Sequence, residues 1–227
     1  MQSISSELLR HFRPPAFPGS YFFSFEGIEG SGKSAQIVLC KTYLEEMGLR
    51  VLVLREPGGT SFGERLRQAI LHGQTELHPL AEAYLFASSR AQLLHEVILK
   101  ELETPGTAVV LDRYIDSTLA YQGKAHGLGT ETVLQMHAQF PLCILPHRTF
   151  YLRVGLATSK ARQKLRNSPK DYFESKGDAF HRLLIDGYDE AAQLFSSRIA
   201  IIDGEGDKET VAKAVQAEIL KTMQRAP

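Results

Sequence analysis

The chain has 227 residues, with 26 Lys and Arg balanced by 26 Asp and Glu for a formal net charge of zero. That balance excludes binding of nucleic acid mainly through bulk cationic charge, but leaves room for a small anion held by a few placed cations. Hydrophobic residues make up 43% and charged residues 23%, which excludes a disordered chain and suffices, at this length, for a core without disulfide staples.

Residues 1–20, MQSISSELLRHFRPPAFPGS, contain two Arg, four Ser and one acidic residue but no continuous apolar stretch of the signal-peptide kind. They read as a flexible or surface-lying extension, separated by Pro14, Pro15 and Pro18 from a body at 21–227. In that body β-type runs alternate with longer helical patterns. Strands are predicted at 21–26 (YFFSFE), 50–55 (RVLVLR), 107–112 (TAVVLD), 148–154 (RTFYLRV) and 198–203 (RIAIID). Helices are predicted at about 33–47, 61–72, 80–103, 117–122, 130–140, 156–167, 178–195 and 208–224. The helix from Ser61 opens with a capping box, Ser61 followed three residues on by Glu64. The strand runs are nearly continuous in apolar residues, as in strands buried on both faces of a parallel sheet. Strands separated by helices imply βαβ units with right-handed crossovers. The expected fold is α/β: one domain with a five-stranded parallel sheet flanked by helices on both faces. No apolar run approaches the ~20 residues of a membrane span, so no membrane partner is expected. Cys40 and Cys143 sit in apolar context without CxxC spacing. That argues against a disulfide framework or a structural zinc site and for a reducing, cytoplasmic location.

The strongest local signal is Gly27-Ile28-Glu29-Gly30-Ser31-Gly32-Lys33-Ser34, which fits G-x-x-x-x-G-K-[ST] in full. Glycines let the backbone curl so that successive N–H groups face phosphate oxygens. The helix that follows adds the positive end of its dipole. Lys33 can reach the β- and γ-phosphates, and the Ser34 hydroxyl can ligate Mg²⁺. A Gly-rich turn ending in Lys-Ser by chance is the bland alternative; a β-type strand before the loop and a helical pattern after it argue against that. No Asn-Lys-x-Asp motif of the guanine-reading kind is present, and the chain is compact for a motor domain. Small-molecule kinases therefore stand in front.

Three further clusters follow in order: Arg55-Glu56-Pro57-Gly58-Gly59-Thr60, then Leu85-Phe86-Ala87-Ser88-Ser89-Arg90, then Asp112-Arg113-Tyr114 running on to Ala120-Tyr121-Gln122-Gly123. Asp112 ends an apolar strand, the place for a carboxylate that helps to hold Mg²⁺, or for a plain structural cap. Arg67 and Arg113 near the carboxyl edge of a sheet can hold a phosphate monoester bidentately, although Arg67 alone reads equally as a solvated helix arginine. Phe86 and Arg90 are four apart and share a helix face. A flat ring can stack a pyrimidine and a guanidinium can donate to its carbonyl. Phe86 also reads as core, but Arg90 on the same stripe weakens that, because a buried unpaired charge is costly.

On these motifs the sequence resembles the thymidylate kinase family over nearly the whole chain bar the extension. The resemblance implies a P-loop NTPase fold with a small lid at about 156–177. It also implies phosphoryl transfer from ATP to dTMP, with Mg²⁺ as cofactor, and a homodimer. It assigns Arg67 and Arg113 to the acceptor phosphate, and Phe86, Arg90, Thr118 and Gln122 to the base. It places Tyr121 against the sugar and Glu29 near the 3′-hydroxyl. Arg55 and Glu56 also match family positions, as ligand contacts or as a structural ion pair.

Phosphoryl transfer needs cations around the equatorial oxygens. Some family members carry an Arg inside the phosphate loop; here that position is Gly30, so the lid is expected to supply the charge. Arg162 and Arg166 are i, i+4 on one helical face, with Lys164 and Lys170 nearby, although such a charge run also reads as a solvated face. The lid motif reads Asp171-Tyr172-Phe173-Glu174, with Tyr172 where the family carries Arg. Two other readings stay open: another deoxynucleotide or deoxynucleoside kinase, and a nucleotide-binding protein of weak catalytic power.

Overall fold

The computed structural model describes residues 4–72, 77–165, 173 and 176–225. A short helix, α1 (Ser6–Leu9), precedes β1 (Tyr21–Glu26) and α2 (Lys33–Glu46). Then come β2 (Arg50–Arg55), α3 (Ser61–His72), α4 (Pro79–Leu93), α5 (Leu99–Leu102), β3 (Thr107–Asp112), α6 (Ile115–Thr118) and α7 (Thr130–His137). The chain continues through β4 (Arg148–Arg153), α8 (Leu156–Lys164), α9 (Asp178–Leu194), β5 (Ile199–Asp203) and α10 (Lys208–Arg225).

The five strands form one all-parallel sheet in the order β2-β3-β1-β4-β5. This bears out the expected P-loop NTPase α/β architecture. Strands β1 and β3 are buried on both faces, as their apolar runs require, whereas the edge strands β2 and β5 carry exposed residues. On β1, Phe22 faces one core with Leu93, Val109 and Leu111, while Phe23 and Phe25 face the other with Leu44, Val110 and Phe150. Helices α2 and α10 cover that second face through Ile37, Leu44, Val215 and Ile219.

β1, β2, α3 and β3 match the sequence reading to the residue, and α2, β4, α9, β5 and α10 differ from it by one residue at one end, but two helices differ in kind. The helix expected at 80–103 runs as α4, a π-helical segment Leu94–Ile98 and α5. The helix expected at 117–122 is α6 followed by a π-helical segment, Leu119–Ala125. Such wide turns recur at functional sites, and this one carries Tyr121 and Gln122. Helix α7 stops at His137, three residues short of expectation.

Residues 4–20 lie on the body. Phe12 is buried edge-on against Phe195, and Arg13 bridges Ile144 in parallel register. Both cysteines are free and buried, and burial pushes the Cys40 thiol up to about 12. No helix among the described residues is long and apolar enough to cross a membrane.

Pairing of Phe25 with Asp112, and of Asp112 with Arg55, brings the ends of β1, β2 and β3 level. The loops that carry the sequence motifs therefore leave one carboxyl edge of the sheet, where open α/β sheets bind ligands.

Candidate active site

The phosphate loop curls between the end of β1 and the start of α2. Gly27 has φ +136° and Gly30 φ +77°, which L side chains rarely adopt. A Cβ at Gly27 would lie 2.6 Å from the Leu152 carbonyl oxygen, and one at Gly30 would lie 2.6 Å from that of Ser159. Both positions thus need glycine for backbone path and for clearance. Lys33, only 8% exposed, donates to the Gly27 carbonyl at 2.8 Å and the Ile28 carbonyl at 3.3 Å. Burial, with Arg113 nearby, lowers its ammonium to about 8.

Beside the loop, Ser34 and Asp112 line one cavity together with Ile37, Arg55 and Glu64. Asp112 Oδ1 is buried and has no hydrogen-bond partner among the described residues. A hydroxyl and an orphaned carboxylate oxygen on two residues that line one cavity fit a hard divalent cation such as Mg²⁺.

On the other side of the loop lies a second pocket, open to solvent and lined by polar and aromatic side chains. All eight residues expected there, Glu29, Arg67, Phe86, Arg90, Arg113, Thr118, Tyr121 and Gln122, line it. So do Glu56, Tyr114 and Phe173. Sequence reading could not rank Glu56. It missed Phe173 because it searched that stretch of the lid for charge, whereas Phe173 contributes a buried ring edge-on to Tyr121 at 5.1 Å.

Arg113 joins the two compartments. It is a non-glycine residue at φ +71°, and its backbone N–H donates to the Phe25 carbonyl, which turns the chain sharply out of β3. Its guanidinium donates to Glu29 at 2.5 Å, to the Gly27 carbonyl and Ser117 Oγ at 3.2 Å, and to Tyr188 Oη at 2.8 Å. Burial alone would raise the Glu29 carboxyl, but Arg113 and Lys33 outweigh it and hold the group below its ordinary value. Tyr121 Oη also donates to Glu29, at 2.7 Å.

Arg90 is 1% exposed and its charge is paired: Glu56 lies 2.6 Å away, and Thr118 and His137 also meet the guanidinium. Arg55 instead reaches Glu64 at 3.1 Å on the surface. Both residues of the Arg55-Glu56 pair are therefore engaged in ion pairs. Arg67 Nη1 donates to the Pro57 carbonyl at 3.0 Å.

Helix α8 docks on the phosphate loop. Ser159 Oγ donates to the Glu29 carbonyl at 2.7 Å, and Arg162 Nη1 reaches the Gly30 carbonyl at 3.4 Å. The described helix ends at Lys164, not 167. Arg166, Lys170, Asp171, Tyr172 and Glu174 lie outside the described residues.

Comparison with known proteins decides the family. A family model described as thymidylate kinase matches residues 25–215.

The chain belongs to the thymidylate kinase family.

Thymidylate kinase of Thermoanaerobacter sp. (strain X514) is 41% identical over 183 residues, covering 81% of this chain and 89% of that protein. Those of Kosmotoga olearia and Thermomicrobium roseum are 36% and 38% identical, covering 90% and 91% of this chain and 97% of each relative. The thymidylate kinase match begins one residue before Glu26, which closes β1 and supports the Arg113 cluster from below. Glu26 accepts from the Tyr114 backbone N–H and from Ser117 Oγ, each at 2.7 Å. Burial, then repulsion from Asp116, pushes its carboxyl up to about 7. A carboxyl whose folded pKa lies above its unfolded value stabilises most below the unfolded pKa, and that contribution is lost as pH rises through the folded one. The stability of Glu26→Gln relative to the unsubstituted protein is therefore expected to improve from about pH 4.5 to about 7 and then level off. Urea unfolding at a series of pH values reads this; a flat difference across the window would count against it.

Proposed function

We propose that this thymidylate kinase family member transfers the γ-phosphoryl group of ATP to dTMP, giving ADP and dTDP. One observation carries the reading: a phosphate loop and a polar, aromatic pocket open at the same sheet edge and share Arg113 and Glu29 as their common wall.

In this mechanism the loop N–H groups and Lys33 hold the ATP phosphates, and the dipole of α2 favours the negative charge. Arg67 and Arg113 hold the dTMP phosphate in line with the γ-phosphorus. The attacking oxygen is already anionic at neutral pH, so no general base is needed. Catalysis is alignment together with stabilisation of developing charge. Mg²⁺, held by Ser34 and Asp112, would neutralise phosphate charge when bound. Arg162, already beside Gly30, and Arg166 supply the lid's cations in place of an arginine inside the loop. Phe86 stacks on thymine, while Arg90, Thr118 and Gln122 meet its polar edge. Tyr121 lies against the sugar and disfavours a 2′-hydroxyl, and Glu29 stands near the 3′-hydroxyl. We take residues 21–227 as the catalytic domain and about 156–177 as its lid.

We also propose a cytoplasmic homodimer. The dimer is supported by Phe62 on α3 and Leu80 and Tyr84 on α4, large apolar side chains left exposed on neighbouring helices. The two free thiols support a reducing compartment.

The test is ADP release with MgATP and dTMP, dUMP, dCMP, dGMP or thymidine as acceptor. Turnover is expected to be highest with dTMP. It is expected to be absent with thymidine, which offers Arg67 and Arg113 no phosphate. Equal use of thymidine would overturn the assignment.

A further inference from the structure

Two of the polar side chains assigned to the base, Arg90 and Gln122, are each held by a buried residue that does not line the pocket. Arg90 has five N–H donors and no acceptor. Its Nε donates to Glu56 at 2.8 Å, its Nη2 meets Glu56 at 2.6 Å and Thr118 at 3.2 Å, and its Nη1 meets His137 Nε2 at 2.8 Å. Because Arg90 can only donate, His137 Nε2 must accept. The ring proton therefore sits on Nδ1, which donates to the Val133 carbonyl at 2.8 Å. His137 is 0% exposed, and burial together with Arg90 lowers its pKa to about 3, so it stays neutral and keeps its acceptor. One Nη1 hydrogen is left for the pocket.

Gln122 is fixed by the complementary logic. Its Nε2 donates to Glu82 Oε1 at 2.6 Å, and both side chains are buried. A carboxylate oxygen accepts and cannot satisfy the amide's oxygen, so Glu82 holds the NH₂ end and leaves the Gln122 oxygen for the pocket.

We propose that His137 and Glu82 are positioning residues that set the pocket's hydrogen-bond polarity: a donor at Arg90 next to an acceptor at Gln122. That pattern complements a pyrimidine edge with a carbonyl beside a ring N–H, as in thymine and uracil. It opposes the cytosine edge, which places an amino donor beside a ring-nitrogen acceptor. A wrong base leaves buried groups unpaired, which is how polar sites reject close analogues. The inference rests on the dTMP-kinase reading above.

The test uses the full chain with Glu82→Gln, His137→Phe and His137→Gln, assayed with dTMP and dCMP and followed by thermal unfolding. In Glu82→Gln the new amide can hold Gln122 either way round. Glu82→Gln and His137→Phe are each expected to raise KM for dTMP about tenfold and to narrow the dTMP-to-dCMP ratio in kcat/KM by a similar factor, with kcat within about threefold. His137→Gln, which offers Arg90 a side-chain oxygen, is expected to recover most of both. The proposal is overturned if the variants lose melting temperature while KM and the ratio stay at their wild-type values. If His137→Phe does not fold, an unchanged ratio in folded Glu82→Gln overturns it equally. Failure of the wild-type protein to use dTMP would be a failure of the functional reading instead.

Discussion

Replacing Lys33 with Ala is expected to lower kcat by about a thousandfold, the upper range for removing one preorganised charge stabiliser from an active site. Lys33 lies at the first residue of α2, where the helix dipole and the curled loop converge. Its ammonium is already almost out of water, with two of its three N–H donors on loop carbonyls. A cation in so dry a place acts on phosphate oxygens with little solvent to screen it, and it needs no reorganisation as charge develops. Alanine removes the charge and leaves the glycine-built backbone path intact. Lys33 does not line the second pocket, so dTMP binding is expected to stay near wild-type strength. ADP release gives the first quantity, and the rise in melting temperature with added dTMP gives the second. Near-normal turnover in Lys33→Ala would remove the phosphate loop from the mechanism.

Arg113→Ala is expected to reduce kcat/KM for dTMP by at least about 1,000-fold, combining loss of the bidentate phosphate contact proposed above with collapse of the wall between the two compartments. The second effect comes from the contacts of the guanidinium. Arg113 supplies the counter-charge to Glu29 and ties the Gly27 carbonyl to Tyr188 and Ser117. Removing one partner of a buried pair leaves an uncompensated charge, at a cost of about 3–5 kcal/mol. Glu29 keeps Lys33 as a second cation and Tyr121 as a donor, which places the cost toward the lower end. Unfolding in urea and steady-state kinetics separate the two losses. Arg113→Lys should recover more stability than activity, since an ammonium restores charge but not the planar fork. Full recovery of both by lysine would reduce the role of Arg113 to charge alone.

The phosphate loop could be read from sequence because its physics is local. Eight consecutive residues carry the glycines, the lysine and the hydroxyl, and the flanking patterns place them between a strand and a helix. The central strands could be read because burial on both faces of a parallel sheet demands contiguous apolar runs, and β1 and β3 match expectation to the residue. The expected parallel sense of those strands puts their carboxyl ends together, and hence motifs separated by tens of residues on one sheet edge.

What the sequence left open depended on contacts between distant elements. Arg55 and Glu56 are neighbours at the end of β2, yet one turns to solvent toward Glu64 and the other turns inward to Arg90, 34 residues away. Only the packing of α4 over the sheet puts that partner in place. His137 carries no signal in its own neighbourhood. Its importance comes from α7 bringing an imidazole within 2.8 Å of a guanidinium 47 residues distant. Phe173 likewise becomes a pocket wall because it meets Tyr121 and His126 across the mouth of the site. Periodicity and short motifs report what each segment requires of its own backbone and of water. They carry no term for which buried polar groups will find one another, and in this protein those long-range pairings orient the side chains that line the pocket.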